Sequence, residues 1–174
     1  MDLAKEFLTS AVKRFKEYKA LGEATFVQLS DEEIFVQPNN ASNSIAIIVQ
    51  HLHGNMLSRW TNFLTEDGEK EWRKRDAEFE VLLSGKGSVL TCWNKGWNVV
   101  LDSLESLTAD DLAKTIFIRS QPLSVVDAIN RQLAHYSYHV GQIVYLGRWI
   151  KDTDWQWLSI PKGGSAEYNR GLKK

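Results

Sequence analysis

Arg131-Gln-Leu-Ala-His135-Tyr-Ser-Tyr-His139-Val-Gly-Gln142-Ile143 sets two histidines four residues apart inside an apolar pattern of helical period. Extended in both directions, the pattern puts Val125, Ala128, Gln132, His135, His139, Ile143, Leu146 and Ile150 on one broad face. It predicts a long helix from Pro122 and Ser124 to about Lys151. Residues i and i+4 of a helix are about 40° apart around the axis and about 6 Å apart along it, so both imidazoles can converge on one ion. Either histidine alone would read as a core residue bonded to a carbonyl or carboxylate. The pair in register, in a chain with only four histidines, favours a metal.

Working outward, Leu3, Phe7, Leu8, Val12, Phe15 and Tyr18 predict an amphipathic first helix over residues 2–20. The β-branched and aromatic content of residues 24–37 predicts a strand-like or turn-rich connection ending at Pro38-Asn-Asn. Ser42 or Asn43 can cap a second helix that runs to Phe63-Leu64 and stops at Thr65-Glu-Asp-Gly68. Mixed charges from Glu69 to Glu80 read as a loop with a helical turn, and a third helix follows from Lys86 to Leu107. Thr108-Ala-Asp-Asp opens a new element, Lys114 to Arg119 reads as a short strand, and residues 152–174 form a C-terminal extension. The expected architecture is all-α: a single domain over residues 1–174, built as an up-down four-helix bundle with short strand-like or loop insertions.

Composition narrows the function classes. A net charge of -1 offers no general attraction for nucleic acid or anionic membrane, and the basic residues of Glu69-Lys-Glu-Trp-Arg-Lys-Arg-Asp76 are interleaved with acids. No apolar run is long enough to span a bilayer, and Met1-Asp-Leu-Ala-Lys-Glu-Phe7 carries charges where a signal peptide is apolar; a cytoplasmic protein is expected. The single Cys92, beside Trp93, reads as an inert thiol in a reducing compartment. Among seven tryptophans, Trp93 and Trp97 lie one helical turn apart, a spacing that suits packing better than a ligand platform.

A third ligand must come from helix two, where His51 and His53 are about 200° apart and cannot share a centre. His53 lies nearer the apolar stripe Ile45, Ile48, Leu52, Met56 and Phe63. His51 lies in a polar, uncharged stripe of Ser44, Asn55, Ser58 and Asn62, which suits the lining of an internal cleft. Periodicity leaves the two equal.

Ser44-Ile-Ala-Ile-Ile-Val-Gln-His51-Leu and His135-Tyr-Ser-Tyr-His139-Val-Gly-Gln-Ile resemble motifs of the DinB-like four-helix bundles, the second matching the family's H-x-x-x-H-x-G-Q pattern. Gly68-Glu-Lys-Glu-Trp72-Arg and Leu158-Ser-Ile-Pro161-Lys-Gly-Gly-Ser165 resemble a bacterial branch of that family described as a domain of unknown function. The resemblance spans essentially the whole chain. It implies a divalent ion, zinc or nickel, held by His51, His135 and His139, with His53 behind the ligands or in packing. It also implies a homodimer, and metal-dependent transfer of low-molecular-weight thiols among the family's activities. Val140 departs from the pattern at a position often occupied by arginine, which weakens any account of how an anionic substrate is held.

The expectation is therefore a divalent-metal enzyme that activates a low-molecular-weight thiol cosubstrate for S-transfer to an electrophilic small molecule. Asn55, Gln132 and Gln142 are candidates to orient ligands or substrate, and Lys162 is a candidate to meet an anion if the tail folds over the open end. A metal-dependent hydrolase is the nearest enzymatic alternative, set back because no carboxylate is well placed on the ligand-bearing helices. A non-catalytic metal- or ligand-binding bundle is the third.

Overall fold

Helices form where the apolar periodicity runs, and three of the four long ones start at a side-chain cap. The computed structural model describes residues 2–172, so Met1 and the last two residues of the expected C-terminal extension lie outside it. Helix α1 spans Leu3–Val27 with the Asp2 carboxylate accepting from the Ala4 and Lys5 amides. Helix α2 spans Ile45–Trp60, α3 Gly85–Ser106, and α4 Val125–Lys151. Ser44 caps α2 through the Ile47 amide, and Ser124 caps α4 through Asp127. The cap of α2 is thus one residue later than Asn43, because Ser44 is the residue whose extended backbone points its hydroxyl at the first free amides.

Three boundaries differ from the sequence reading. Helix α1 continues through Thr25 and Phe26, whose β propensity is overridden by burial: Phe26 meets Trp93 edge-on at 5.0 Å, and Thr25 bonds back to the Leu21 carbonyl. The rest of that connection is a 3-10 turn at Glu33–Phe35 around a buried Ile34. Helix α2 ends at Trp60, four residues short of Leu64. Pro122 opens no helix; it sits in β2 (Gln121–Ser124), paired with β1 (Thr115–Ile118) in an antiparallel hairpin, opposite Phe117. In a two-stranded sheet each strand has a free edge, which tolerates the missing N–H.

The long helices pack in the ring order α1, α3, α2, α4. Chain-consecutive α1 and α2 therefore do not lie side by side, and the connection of residues 28–44 crosses an end of the bundle rather than turning straight back. One aromatic from each helix meets at the centre. Phe15 of α1 lies edge-on to Trp60, Trp97 and Tyr136 at centroid distances of 6.0, 6.3 and 5.9 Å. Each such contact contributes about 0.5–1.5 kcal/mol beyond the burial itself. Trp93 and Trp97 are both core residues.

The C-terminal segment packs on α1 and α4. Gln28 and Gln156 exchange two hydrogen bonds, Trp155 is buried, and the Arg148 guanidinium lies 4.2 Å from the Trp157 ring centre. A short helix α5 (Ser165–Gly171) follows. Among the described residues, no helix is long and apolar enough to cross a membrane.

Candidate metal centre

Helix α4 carries His135 and His139 inward because Tyr136, between them in sequence, is fixed in the core: its hydroxyl accepts from Trp60 Nε1 at 2.9 Å and donates to Asn55 Oδ1 at 3.2 Å. Helix α2 supplies His51 from the stripe of Ser44, His51, Asn55 and Ser58, all buried, whereas Asn62 beyond the helix end is exposed. The ligand-capable nitrogens of His51, His135 and His139 all lie within 4.8 Å of one another. His53 points elsewhere: its Nδ1 bonds the Cys92 carbonyl on α3 at 2.9 Å. The Cys92 thiol beside it is pushed up by burial, which keeps it protonated and inert.

Two of the three tautomers follow from their partners. A carboxylate only accepts, so His51 Nδ1 donates to Glu78 Oε2 at 2.9 Å, and in the neutral ring Nε2 is then a bare lone pair. His139 Nδ1 donates to Gln142 Oε1 at 2.8 Å, and again Nε2 is bare. Both lone pairs face His135 Nε2, at 3.5 and 3.1 Å. One proton on His135 can bridge to only one of them; a cation among the three satisfies all. Tetrahedral coordination at about 2.05 Å per nitrogen places ligand nitrogens about 3.3 Å apart, so these two separations are compatible with a shared metal ion.

Glu78 is the residue that sequence reasoning missed. It comes from a 3-10 turn at Asp76–Phe79 in the charged loop, and α2 builds its seat. The Gln50 amide reaches the carbonyls of Ala77, Glu78 and Glu80 at 3.2, 2.9 and 2.8 Å, clamping the loop to the helix. Gly54, one turn past His51, leaves the space the carboxylate fills; a Cβ there would run into Glu78 Oε1. Arg73 grips the other side through Nε to Oε1 at 2.7 Å and Nη2 to Oε2 at 2.9 Å. Burial alone would raise the Glu78 carboxyl, but the hydrogen bonds from His51 and Arg73 hold it below the usual carboxylate range. The sequence signal available was the glycine three residues after His51.

The remaining candidates separate. Gln142 bonds His139, one of the candidate ligands, and its Nε2 donates to the Tyr138 hydroxyl at 3.1 Å. Asn55 lines the cavity in front of the histidines, with its oxygen engaged by Tyr136. Gln132 does not reach the centre; it is buried on α4 with neither side-chain polar atom partnered. Lys162 is exposed in the C-terminal segment and does not line the cavity, because the tail packs on Gln28 and Arg148 instead.

The family model described as protein of unknown function, DUF1572, matches residues 2–164. The chain belongs to the DUF1572 family. No curated protein matches it. In this DUF1572 member the matched stretch takes in all three histidines, Glu78 and the whole bundle.

Burial, with His139, His51 and the guanidinium groups of Arg131 and Arg73 adding to it, pushes His135 down to about 3. Burial and His51 bring His139 down to about 4 against the opposing hydrogen bond to Gln142. Both values lie below the unfolded value of about 6.5, so between these limits the unfolded chain binds more protons and stability rises with pH. The metal-free protein should therefore be fully stabilised above about pH 6.5 and lose stability progressively toward pH 4. Thermal melts at pH 7 and pH 5 should show a lower Tm at pH 5, and a smaller drop in the His135→Asn/His139→Asn variant. An equal drop in both proteins would assign the acid sensitivity elsewhere.

Proposed function

We propose that His51, His135 and His139 hold one divalent ion, zinc or nickel, and that the chain is a metal-dependent transferase moving a low-molecular-weight thiol onto an electrophilic carbon of a small molecule. The observation that carries this reading is the convergence of three imidazole nitrogens at the wall of an open cavity of about 390 Å³, with no fourth metal-ligating side chain among the described residues. The likeness of the His51 and His135–Gln142 motifs to the DinB-like bundles adds thiol transfer to that geometry.

Bound there, a divalent ion supplies Lewis acidity and favours the thiolate form of a coordinated thiol near neutral pH. The chain's residues do the positioning. Glu78 and Gln142 hold the Nδ1 protons of two ligands and so keep their Nε2 lone pairs inward. Phe79 stacks on the His51 ring at 4.9 Å and covers that flank, and Tyr138 walls the cavity from α4. A thiol supplied from solution also removes the need for a protein nucleophile. A cytoplasmic homodimer completes the reading, supported by the inert Cys92 and by the exposed Tyr138, Tyr145 and Trp149 along α4.

The hydrolase reading is less favoured because the nearest carboxylate, Glu78, is taken up by His51 and Arg73, and Asp127 and Asp152 are exposed. No carboxylate lines the cavity to act as a general base. A non-catalytic module would close the fourth position with a protein side chain, and none is in place among the described residues.

The test is conjugate formation from cysteine or glutathione and an activated aryl chloride, followed by mass spectrometry. Sulfur bonds to carbon, chloride leaves with its electron pair, and the thiol proton goes to solvent. Zinc- or nickel-loaded wild type should exceed the uncatalysed rate, and His135→Ala should lose that excess. Full turnover in His135→Ala would sink the proposal.

A further inference from the structure

We propose that the cavity beside the three histidines is a subsite for an anionic group of the substrate, a carboxylate or a phosphate, received by Arg131 and Arg75 with Arg73 and Arg119 in its wall. This rests on the cavity being the substrate site of the reaction above.

Five of the chain's eight arginines line this one cavity, namely Arg59, Arg73, Arg75, Arg119 and Arg131, and no carboxylate and no lysine does. For a chain of net charge -1 that is a strong local concentration of positive charge. The neighbouring acids do not balance it. Glu78 is taken by Arg73, and Glu69 is shared between Arg59 at 3.0 Å and Arg119 at 2.8 Å. Arg131 has no hydrogen bond or ion pair among the described residues, and it stands one helical turn before His135 on α4. Arg75 lies 5.3 Å from the centre of the Phe79 ring, with only the exposed Asp76 carboxylate at 3.8 Å.

Two buried donors point the same way. Arg73 Nη1 and Arg59 Nε have no partner, on side chains that are 2% and 3% exposed. Buried donors are almost always bonded, so these two mark a guanidinium cluster with fewer acceptors than donors. Guanidinium rather than ammonium throughout suits a planar, forked oxyanion, since its parallel N–H groups match carboxylate and phosphate geometry.

Arg119 is placed with strained backbone. Arg119 and Ser120 join β1 to β2 in a two-residue turn with φ of 55° and 59°, a conformation that favours glycine or asparagine. Asp67 stabilises the turn by accepting both amides, at 2.9 and 2.7 Å. The hairpin tip is held beside the charged loop by Gly68 N donating to the Phe117 carbonyl at 2.8 Å. Hairpin, loop and α4 thus each bring a guanidinium to the mouth of the histidine centre.

The test is calorimetric titration of the full chain at low ionic strength with inorganic phosphate and, separately, succinate. Wild type, metal-free and zinc-loaded, should bind one equivalent of at least one probe, and the tighter of the two identifies the anion class. Affinity should fall about tenfold in Arg131→Gln and further in Arg131→Gln/Arg75→Gln, and stay unchanged in Arg170→Gln, which alters an arginine outside the cavity. Because Arg131 is exposed and unpaired, its variant should keep the wild-type Tm. No saturable binding of either probe, or binding indifferent to Arg131 and Arg75, would overturn the proposal. Anion binding retained in a protein that takes up no metal would support the subsite while defeating the transferase reading.

Discussion

Replacing His135 with alanine should abolish stoichiometric metal. Untagged wild type incubated with zinc or nickel should carry about one equivalent by elemental analysis, whereas His51→Ala, His135→Ala and His139→Ala should each weaken binding by at least about a hundredfold. His53→Ala is the internal control, since its imidazole is engaged with the Cys92 carbonyl and does not reach the centre. Metal retained by His135→Ala, or lost from His53→Ala, would show that the ion sits elsewhere. The metal-free His135→Ala variant should still melt cooperatively, because its half-buried side chain faces the cavity and removing it relieves the crowding of lone pairs. Either ion can fill a three-imidazole site, so what a preparation contains reflects what was available to it.

Glu78→Ala should destabilise the fold by about 3–5 kcal/mol, because it strips the partner from the Arg73 guanidinium, whose side chain is 2% exposed. It should also lower metal affinity by about 10- to 100-fold, since His51 loses the acceptor that fixes its tautomer and ring plane. Gly54→Ala separates the two effects. Alanine favours the helix by about 1 kcal/mol in general, yet here its methyl collides with Glu78 Oε1 and must move the carboxylate away from His51. We expect Gly54→Ala to lose metal affinity with a smaller loss of stability than Glu78→Ala, as measured by urea denaturation and competition with a zinc chelator. Glu78→Ala with wild-type stability and wild-type affinity would remove Glu78 from the centre.

Glu78 and the arginines also change the electrostatic view of the protein. Chain charge near zero suggested that no field would select a ligand, and the valine at position 140 weakened any account of how an anionic substrate is held. Folding sorts the charges instead. The acids of the loop turn onto Arg73, Arg59 and Arg119, while Arg131 and Arg75 remain at the cavity without a buried partner.

The sequence by itself determined the elements whose signal is periodic: the positions of the four long helices, the inward face of α4, and the i, i+4 pair of histidines. These are local properties, set by the angle between successive side chains, and so they survive without knowledge of the rest of the chain. Periodicity could not choose between His51 and His53, because the bias toward the apolar stripe and the bias toward an uncharged polar stripe were equal. The motif resemblance pointed to His51, and packing turns the second stripe toward α4 and His53 toward α3. Residues 67–80 and the hairpin have no period at all. Their side chains reach the centre through contacts distant in sequence, such as Gln50 with the Ala77–Glu80 carbonyls and Asp67 with the Arg119 and Ser120 amides. Glu78, Arg73, Arg75 and Arg119 were therefore placed by tertiary structure alone, because a loop takes its conformation from what it is bonded to, whereas Arg59 and Arg131 ride on α2 and α4.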